Sequence, residues 1–342
     1  MKNRNEKISD QVKNFCVLIG NNPLLVQGSG GNISWKEGNL LWIKASGMWL
    51  SDASSKNIFV QVDLNHLKNA IHSKELQITP KIVDESKLRP SIETLLHALM
   101  PHKIVLHLHA IEVLAHLVKE KLENDFKNLL NETSSWGIVD YYKPGIMLAN
   151  KVNDLLNQNP ELKVIFLRSH GLVIGGENIK EVSKILNKIT HSLQTKPKDV
   201  LPISKLNSFN ITIFNHQYER IDDLEVNQLA LNPILFNQIR KNWAIYPDHI
   251  VFLGPNPHVY QSINEFKEVI KNSHEFPELI FIYGEGVYTK PNFNKSKSAQ
   301  LRCYYDIMSR QKPEYSLKVF SDNEINELLN WDAEIYRIEI SI

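Results

Sequence analysis

Ile104-Val105-Leu106-His107-Leu108-His109 reads as a compact strand: an apolar, partly β-branched run carrying two histidines one residue apart. The two-residue period of a strand points both imidazoles to the same face, which is the geometry a chelate needs. Downstream, a second apolar strand, Val164-Ile165-Phe166-Leu167, ends at Ser169-His170-Gly171, where His170 can supply a third imidazole. Three neutral imidazoles with an open fourth position make a catalytic rather than a structural zinc site, because structural sites fill all four positions with protein ligands. With 13 histidines in the chain, an isolated His-x-His is also compatible with two ordinary core or surface histidines.

The flanking segments follow the same logic. The first twenty residues have Ile8, Val12, Phe15, Cys16 and Ile19 at helical spacing and end at the turn-forming Gly20-Asn21-Asn22-Pro23. Gly28-Ser29-Gly30-Gly31-Asn32-Ile33-Ser34 leads into Leu40-Leu41-Trp42-Ile43-Lys44, a hairpin with tight turns, and Ala45-Ser46-Gly47 makes a second small-residue loop. Pro90-Ser91 precedes an apolar helix expected from about Ile92 to Met100, and the His107–His109 strand runs into a helix through Val118. A helix from about Lys180 to Leu193 is followed by residues 194–205, a linker rich in Lys, Pro and Ser. This places a catalytic domain at 1–200 and a smaller α/β domain at 201–342. The latter is read either as a degenerate copy of the first or as a chance echo between apolar strands. Residues 101–107 can be laid on 247–253 and residues 165–171 on 280–286, which puts Leu253 in place of His107 and Glu285 in place of His170. Such a copy would not hold the same ion.

Bulk properties bound the function. A chain of 342 residues with 42% hydrophobic content can bury a sizeable core. The formal charge of +1 gives no broad electrostatic footprint for nucleic acid. Cys16 and Cys303 form no metal-type or redox-type spacing, no segment approaches eighteen uninterrupted apolar residues, and the charged start from Met1 to Asp10 lacks a signal-peptide core. The expectation is a cytoplasmic protein with no membrane partner.

Glu93 falls in the first turn of the helix after Pro90-Ser91, where its plain role is to complement the helix dipole. Beside a metal, a carboxylate there can instead abstract a proton alpha to a carbonyl. The loops 28–34 and 45–47, with Ser91, offer backbone N–H groups and hydroxyls suited to phosphate, and are equally ordinary turns; they match neither the P-loop nor the dinucleotide fingerprint.

Together, Gly31-Asn32-Ile33-Ser34, Ile43-Lys44-Ala45-Ser46-Gly47, Pro90-Ser91-Ile92-Glu93, His107-Leu108-His109, Tyr142-Lys143-Pro144-Gly145 and His170-Gly171-Leu172 resemble, in order and spacing, the class II aldolase/adducin family over about residues 8–195. Tyr246-Pro247-Asp248-His249 and Trp331-Asp332-Ala333-Glu334 with Tyr336-Arg337 are similar to the aldolase portion of longer bacterial proteins related to rhamnulose-1-phosphate aldolase, in which a short-chain dehydrogenase follows. Because this chain stops at Ile342, no reductase activity is expected. The resemblance implies a three-layer α/β/α fold around a mainly antiparallel sheet, usually a homotetramer. It implies a divalent ion, zinc or another transition metal, on His107, His109 and His170, Glu93 as acid/base, and Asn32, Ser46, Gly47 and Ser91 at phosphate-contacting positions. Many members carry a second serine where this chain has Ile92, so one hydroxyl donor to phosphate is missing.

The implied reaction is aldol cleavage of a ketose phosphate through a metal-stabilised enediolate. Epimerisation and dehydration use the same kind of site within the family. A non-catalytic, adducin-like interaction module is the alternative from another class, against which the retention of all three histidines and Glu93 argues.

Overall fold

The computed structural model describes residues 7–75, 77–122, 124–130, 135–201, 210–273 and 275–340. The expected linker at 194–205 therefore runs partly outside the described residues, as do the first six residues of the charged N-terminal stretch. The described residues form two compact units. One holds those up to Val118, Leu122–Gln194 and those from Asn330; the other holds Lys119–Lys121 and Thr195–Leu329. The expectation of a C-terminal domain spanning 201–342 differs from this division, because residues from Asn330 group with the first unit.

In the first unit, α1 (Ile8–Gly20) buries Val12, Phe15, Cys16 and Ile19, the helical stripe visible in the sequence. There follow β1 (Asn32–Glu37), β2 (Leu40–Lys44), β3 (Phe59–Asp63), α2 (Leu64–Ser73), α3 (Thr94–Leu99), β4 (Ile104–Leu108), α4 (Ile111–Leu117), α5 (Asn124–Leu129), β5 (Trp136–Val139), α6 (Ile146–Gln158), β6 (Val164–Leu167), β7 (Gly171–Gly176) and α7 (Ile179–Ser192). Side-chain caps fix two of the helix starts: Asp63 accepts from the His66 N–H, and Asn178 from the Glu181 N–H.

The strands form one sheet in the order β3-β2-β1-β4-β7-β6-β5. Every neighbouring pair is antiparallel except β5 and β6. Strands β4 and β7 are buried at every residue, so they read as apolar runs rather than alternating ones. On one face, Leu41, Ile43, Val60 and Val62 pack with Leu67, Leu95 and Ala98, while Val105, Ile165 and Val173 pack with Leu96, Leu148 and Val152, under α2, α3 and α6. On the other face, α7 meets β4 and β7, α4 meets β7, and α1 meets α7. This is the three-layer α/β/α architecture with a mainly antiparallel sheet. The helix expected from Ile92 begins at Thr94, with Glu93 at its N-cap position rather than in its first turn.

The second unit is also α/β. Its elements are β8 (Asn210–Ile213), β9 (His216–Arg220), α8 (Gln228–Leu231), α9 (Pro233–Ile239), α10 (Pro247–Leu253), β10 (Val259–Tyr260), α11 (Ile263–Ser273), β11 (Leu279–Ile282), β12 (Gly286–Thr289), α12 (Lys295–Met308) and α13 (Asp322–Leu329), with sheet order β10-β11-β12-β9-β8. The sequence echo is half corrected here. Residues 247–253, laid on strand β4, form helix α10, because Pro247 opens the first turn, where its missing N–H costs nothing, and Asp248 favours the helix N-terminus. Residues 280–286 instead form a hairpin like 165–171: Ile282 pairs with Gly286 as Leu167 pairs with Gly171, and each hairpin has a parallel strand on its outer side. Among the described residues, no helix is long and apolar enough to cross a membrane.

The last helix, α14 (Asp332–Glu339), belongs to the first unit. Trp331 stacks beneath the Lys143 ammonium, 4.8 Å from its ring centroid, and Tyr336 lies 4.2 Å from the Arg89 guanidinium.

Candidate active site

The site is built where the top of the sheet meets α3. Asn32 on β1 is the cross-strand partner of His107 on β4, and Ser34 of Val105. Residues two apart on a strand share a face, so Asn32, Ser34 and His107 all look towards α3. His109 follows directly after β4 on the same side, and His170 arrives on the turn between β6 and β7.

That turn is tight because it must be. Ser169 adopts a left-handed φ of 51°, and a Cβ on Gly171 would stand 2.3 Å from the Leu108 carbonyl oxygen. Only glycine lets the backbone approach β4 this closely. A Cβ on Gly31, which has φ +65°, would likewise meet the His107 carbonyl at 3.0 Å.

The three sequence-derived histidines come together. Their ring centroids lie 4.8 to 5.2 Å apart, and one nitrogen of each falls within 4.8 Å of the others. All three are buried. His107 Nδ1 lies 3.1 Å from the Leu172 carbonyl and its Nε2 lies 3.0 Å from His109 Nε2. A carbonyl only accepts, so Nδ1 carries the proton and the Nε2 lone pair points into the cluster. Such convergence of imidazole nitrogens fits a divalent transition ion by donor type.

Glu93, 5% exposed, stands against this cluster. Its Oε2 is 3.4 Å from His107 Nε2 and its Oε1 is 3.6 Å from His170 Nε2. Oε2 accepts a hydrogen bond of 2.8 Å from Asn32 Nδ2. Oε1 is buried without a hydrogen-bond partner, an arrangement that natural interiors keep where a ligand or ion completes the set. Burial pushes the carboxyl up, but His107 and His170, when protonated, and the Asn32 amide outweigh it and hold Glu93 below the usual carboxylate range.

The expected phosphate positions divide. Ser91 Oγ accepts from the Glu93 N–H and from Asn32 Nδ2, each at 3.2 Å, so both amide protons of Asn32 are used within the cluster. Ser46 stands one loop away, where its N–H donates to the Arg89 carbonyl beside the Ala45–Pro90 bridge. Gly47 has φ +73°, and Ile340 packs against its Cα so closely that a Cβ there would lie 2.0 Å from the Ile340 side chain.

Three residues of this neighbourhood received no role from the sequence, although Ser34 and Lys44 lie inside quoted motifs. His97 and Ser34 are buried beneath Asn32, with Ser34 Oγ 2.8 Å from His97 Nδ1 and Nε2 against Asn32 Oδ1. Burial lowers the His97 pKa to about 3, which leaves the ring neutral. Lys44 is also buried, and its ammonium ties the two small-residue loops together by donating to the Ser29 and Met48 carbonyls at 2.8 and 2.6 Å. A signal existed for the first two: Asn32-x-Ser34 at strand period and Glu93-x-x-x-His97 at helix period.

Residues 16–196, just over half of the chain, match the class II aldolase and adducin N-terminal domain. The chain belongs to this family. An L-fuculose phosphate aldolase from Methanococcus maripaludis is 29% identical over 171 residues, which are 49% of this chain and 83% of that protein. YuxG of Bacillus subtilis, an uncharacterised oxidoreductase, is 27% identical over 176 residues, 47% of this chain but only 25% of its own length. This chain therefore spans a quarter of that relative. Among solved structures, the N-terminal class II aldolase domain of a conserved protein from Thermoplasma acidophilum is 26% identical, with 56% of this chain and 97% of that one covered at a TM-score of 0.47.

Proposed function

We propose that this protein is a metal-dependent aldolase that cleaves a ketose phosphate, with His107, His109 and His170 holding the ion and Glu93 moving the proton. The observation that carries this reading is the set of three convergent, buried imidazoles facing a buried carboxylate whose Oε1 lacks a hydrogen-bond partner. His107, His109 and His170 would hold a divalent ion, zinc by our reading, and that ion would supply the positive charge that polarises substrate oxygens beside Glu93. Glu93, kept ionised by its surroundings, accepts the proton alpha to the carbonyl in the condensation direction and returns it to the same carbon in cleavage. Burial of the cluster excludes bulk water from the proton transfer. Asn32, Ser46, Gly47 and Ser91 are the positions assigned to the phosphate; Ile92 leaves this pocket one hydroxyl short. We assign the assembly as a homotetramer in the cytoplasm, which light scattering and fractionation would test.

The deciding experiment incubates the protein with a panel of ketose phosphates, with and without chelator, and identifies products by mass. Expected are dihydroxyacetone phosphate, or a glycolaldehyde-type fragment, and a second aldehyde, lost on chelation and restored by zinc. An epimeric ketose phosphate with no cleavage would place the same site in epimerisation. Protein that purifies without stoichiometric divalent ion and keeps its stability on chelation would instead be a non-catalytic, adducin-like module.

A further inference from the structure

Beneath the Glu93 carboxylate lies a buried polar ladder that the proposed reaction does not itself use. β1 presents Asn32 and Ser34, two residues apart, and the start of α3 presents Glu93 and His97, four apart. The rise of two strand residues, about 6.6 Å, nearly matches one helical turn, about 5.4–6 Å, so the two pairs face each other as rungs. Ser34 is fully buried and so is His97.

One arrangement of protons satisfies every contact. Asn32 Nδ2 is the group that faces Glu93 Oε2 at 2.8 Å and Ser91 Oγ at 3.2 Å, and an amide nitrogen only donates. Asn32 Oδ1 then faces His97 and only accepts, so His97 Nε2 carries the ring proton. His97 Nδ1 is left as an acceptor, which the Ser34 hydroxyl fills as donor at 2.8 Å. Protons are thus donated in one direction, from Ser34 to His97 to Asn32 to Glu93.

We infer that Ser34 and His97 are positioning residues, which lock the Asn32 amide so that Glu93 is pinned through Oε2 and keeps Oε1, the oxygen without a hydrogen bond, at a fixed place beside the histidine cluster. The assignment of Glu93 as the proton-transferring group rests on the function proposed above; the locking of Asn32 does not. Without His97 the Asn32 amide loses the contact that defines its flip, and Glu93 Oε2 loses a fixed donor. A neutral imidazole suits this task because a charged one would donate from both nitrogens and turn the Ser34 hydroxyl away.

The test compares His97→Leu, His97→Gln and Ser34→Ala. Glutamine keeps one donor for Asn32 and one acceptor for Ser34, so it should rescue what leucine loses. The first readout is the side-chain amide signal of Asn32 in protein labelled with 15N-asparagine, assigned by its disappearance in Asn32→Asp and recorded without metal or substrate. It should be shifted and slow to exchange in the parent and in His97→Gln, and averaged in His97→Leu. The second readout is turnover of whichever ketose phosphate the panel identifies. His97→Leu should lower kcat by about 10- to 100-fold with KM and metal stoichiometry little changed, and His97→Gln should recover most of it. A retained Asn32 signal in folded His97→Leu, or a His97→Gln protein as slow as His97→Leu, would overturn the proposal. If His97→Leu does not fold, Ser34→Ala decides: an Asn32 signal and kcat equal to the parent's refute the ladder. If no ketose phosphate is turned over, the proposed function fails, while the amide signal still decides whether His97 holds Asn32.

Discussion

At the scale of single residues, the site is a set of short-range constraints with separable consequences. His109→Ala removes one of three converging nitrogens, so metal analysis of the purified variant should find the stoichiometric ion lost. Glu93→Gln keeps shape and leaves the imidazoles intact; it should retain metal while turnover of the cleaved substrate disappears. A metal-free Glu93→Gln protein would show that the carboxylate is a ligand rather than the proton carrier. Gly171 is constrained differently. With the Leu108 carbonyl 2.3 Å from a would-be Cβ, Gly171→Ala must push the His170 turn off β4. The expected result in denaturant titration is a loss of about 1–3 kcal/mol, accompanied by weaker metal retention. Unchanged metal affinity in that variant would mean that the turn does not set the place of His170.

At the scale of elements, the sheet register and the two small-residue loops set the pocket. The pairing of Asn32 with His107 places β1 and β4 side by side at the site, and a one-residue slip of β1 would turn Asn32 to the face opposite His107. Lys44, at the end of β2, crosses between loops by donating to Ser29 and Met48. Lys44→Met would leave those carbonyls without this donor, at a cost of about 1–3 kcal/mol for each buried group left unpaired. Since Lys44 touches none of the histidines in these contacts, the expected variant binds metal normally but has a raised KM for the phosphorylated substrate, measured by steady-state kinetics. An equal loss of metal would place Lys44 in the support of the histidines instead. The segment from Trp331 to Ile340 covers the same loops from within the first unit, with Ile340 on Gly47 and Trp331 on the Lys143–Gly145 turn.

At the scale of the whole molecule, stability should depend on pH through a histidine in the second unit. His249 is fully buried against Trp243 and Tyr304, with neither ring nitrogen hydrogen-bonded, and burial lowers its pKa to about 3. An unfolded histidine titrates near 6.5. Between those values only the unfolded chain takes up the proton, so falling pH favours unfolding, and the loss begins below about 6.5 and grows towards 3. At pH 5.5 this amounts to about 1 kcal/mol. Denaturant midpoints measured for the second unit's transition between pH 7 and 5 should fall, and His249→Leu should flatten that dependence; an unchanged slope would locate the titration elsewhere.

Much of this was determined by the sequence alone. The strand period put His107 and His109 on one face, the ordered motifs from Gly31 to Leu172 indicated the family, and the apolar runs of β4, β6 and β7 indicated a buried sheet, because these signals are local and repeat with the geometry of one element. Other features belonged to the tertiary structure. Helix α10, laid by similarity on a strand, follows its own Pro247 start signal; Glu93 leaves the helix dipole to face Asn32; and residues from Asn330 return to the first unit. His97 was passed over because an isolated histidine in an apolar helix carries no local mark of function. Its role is decided only when β1 and α3, with Asn32 and His97 65 positions apart, bring strand period and helix period into register, and that match is a property of packing, which no single stretch of chain contains.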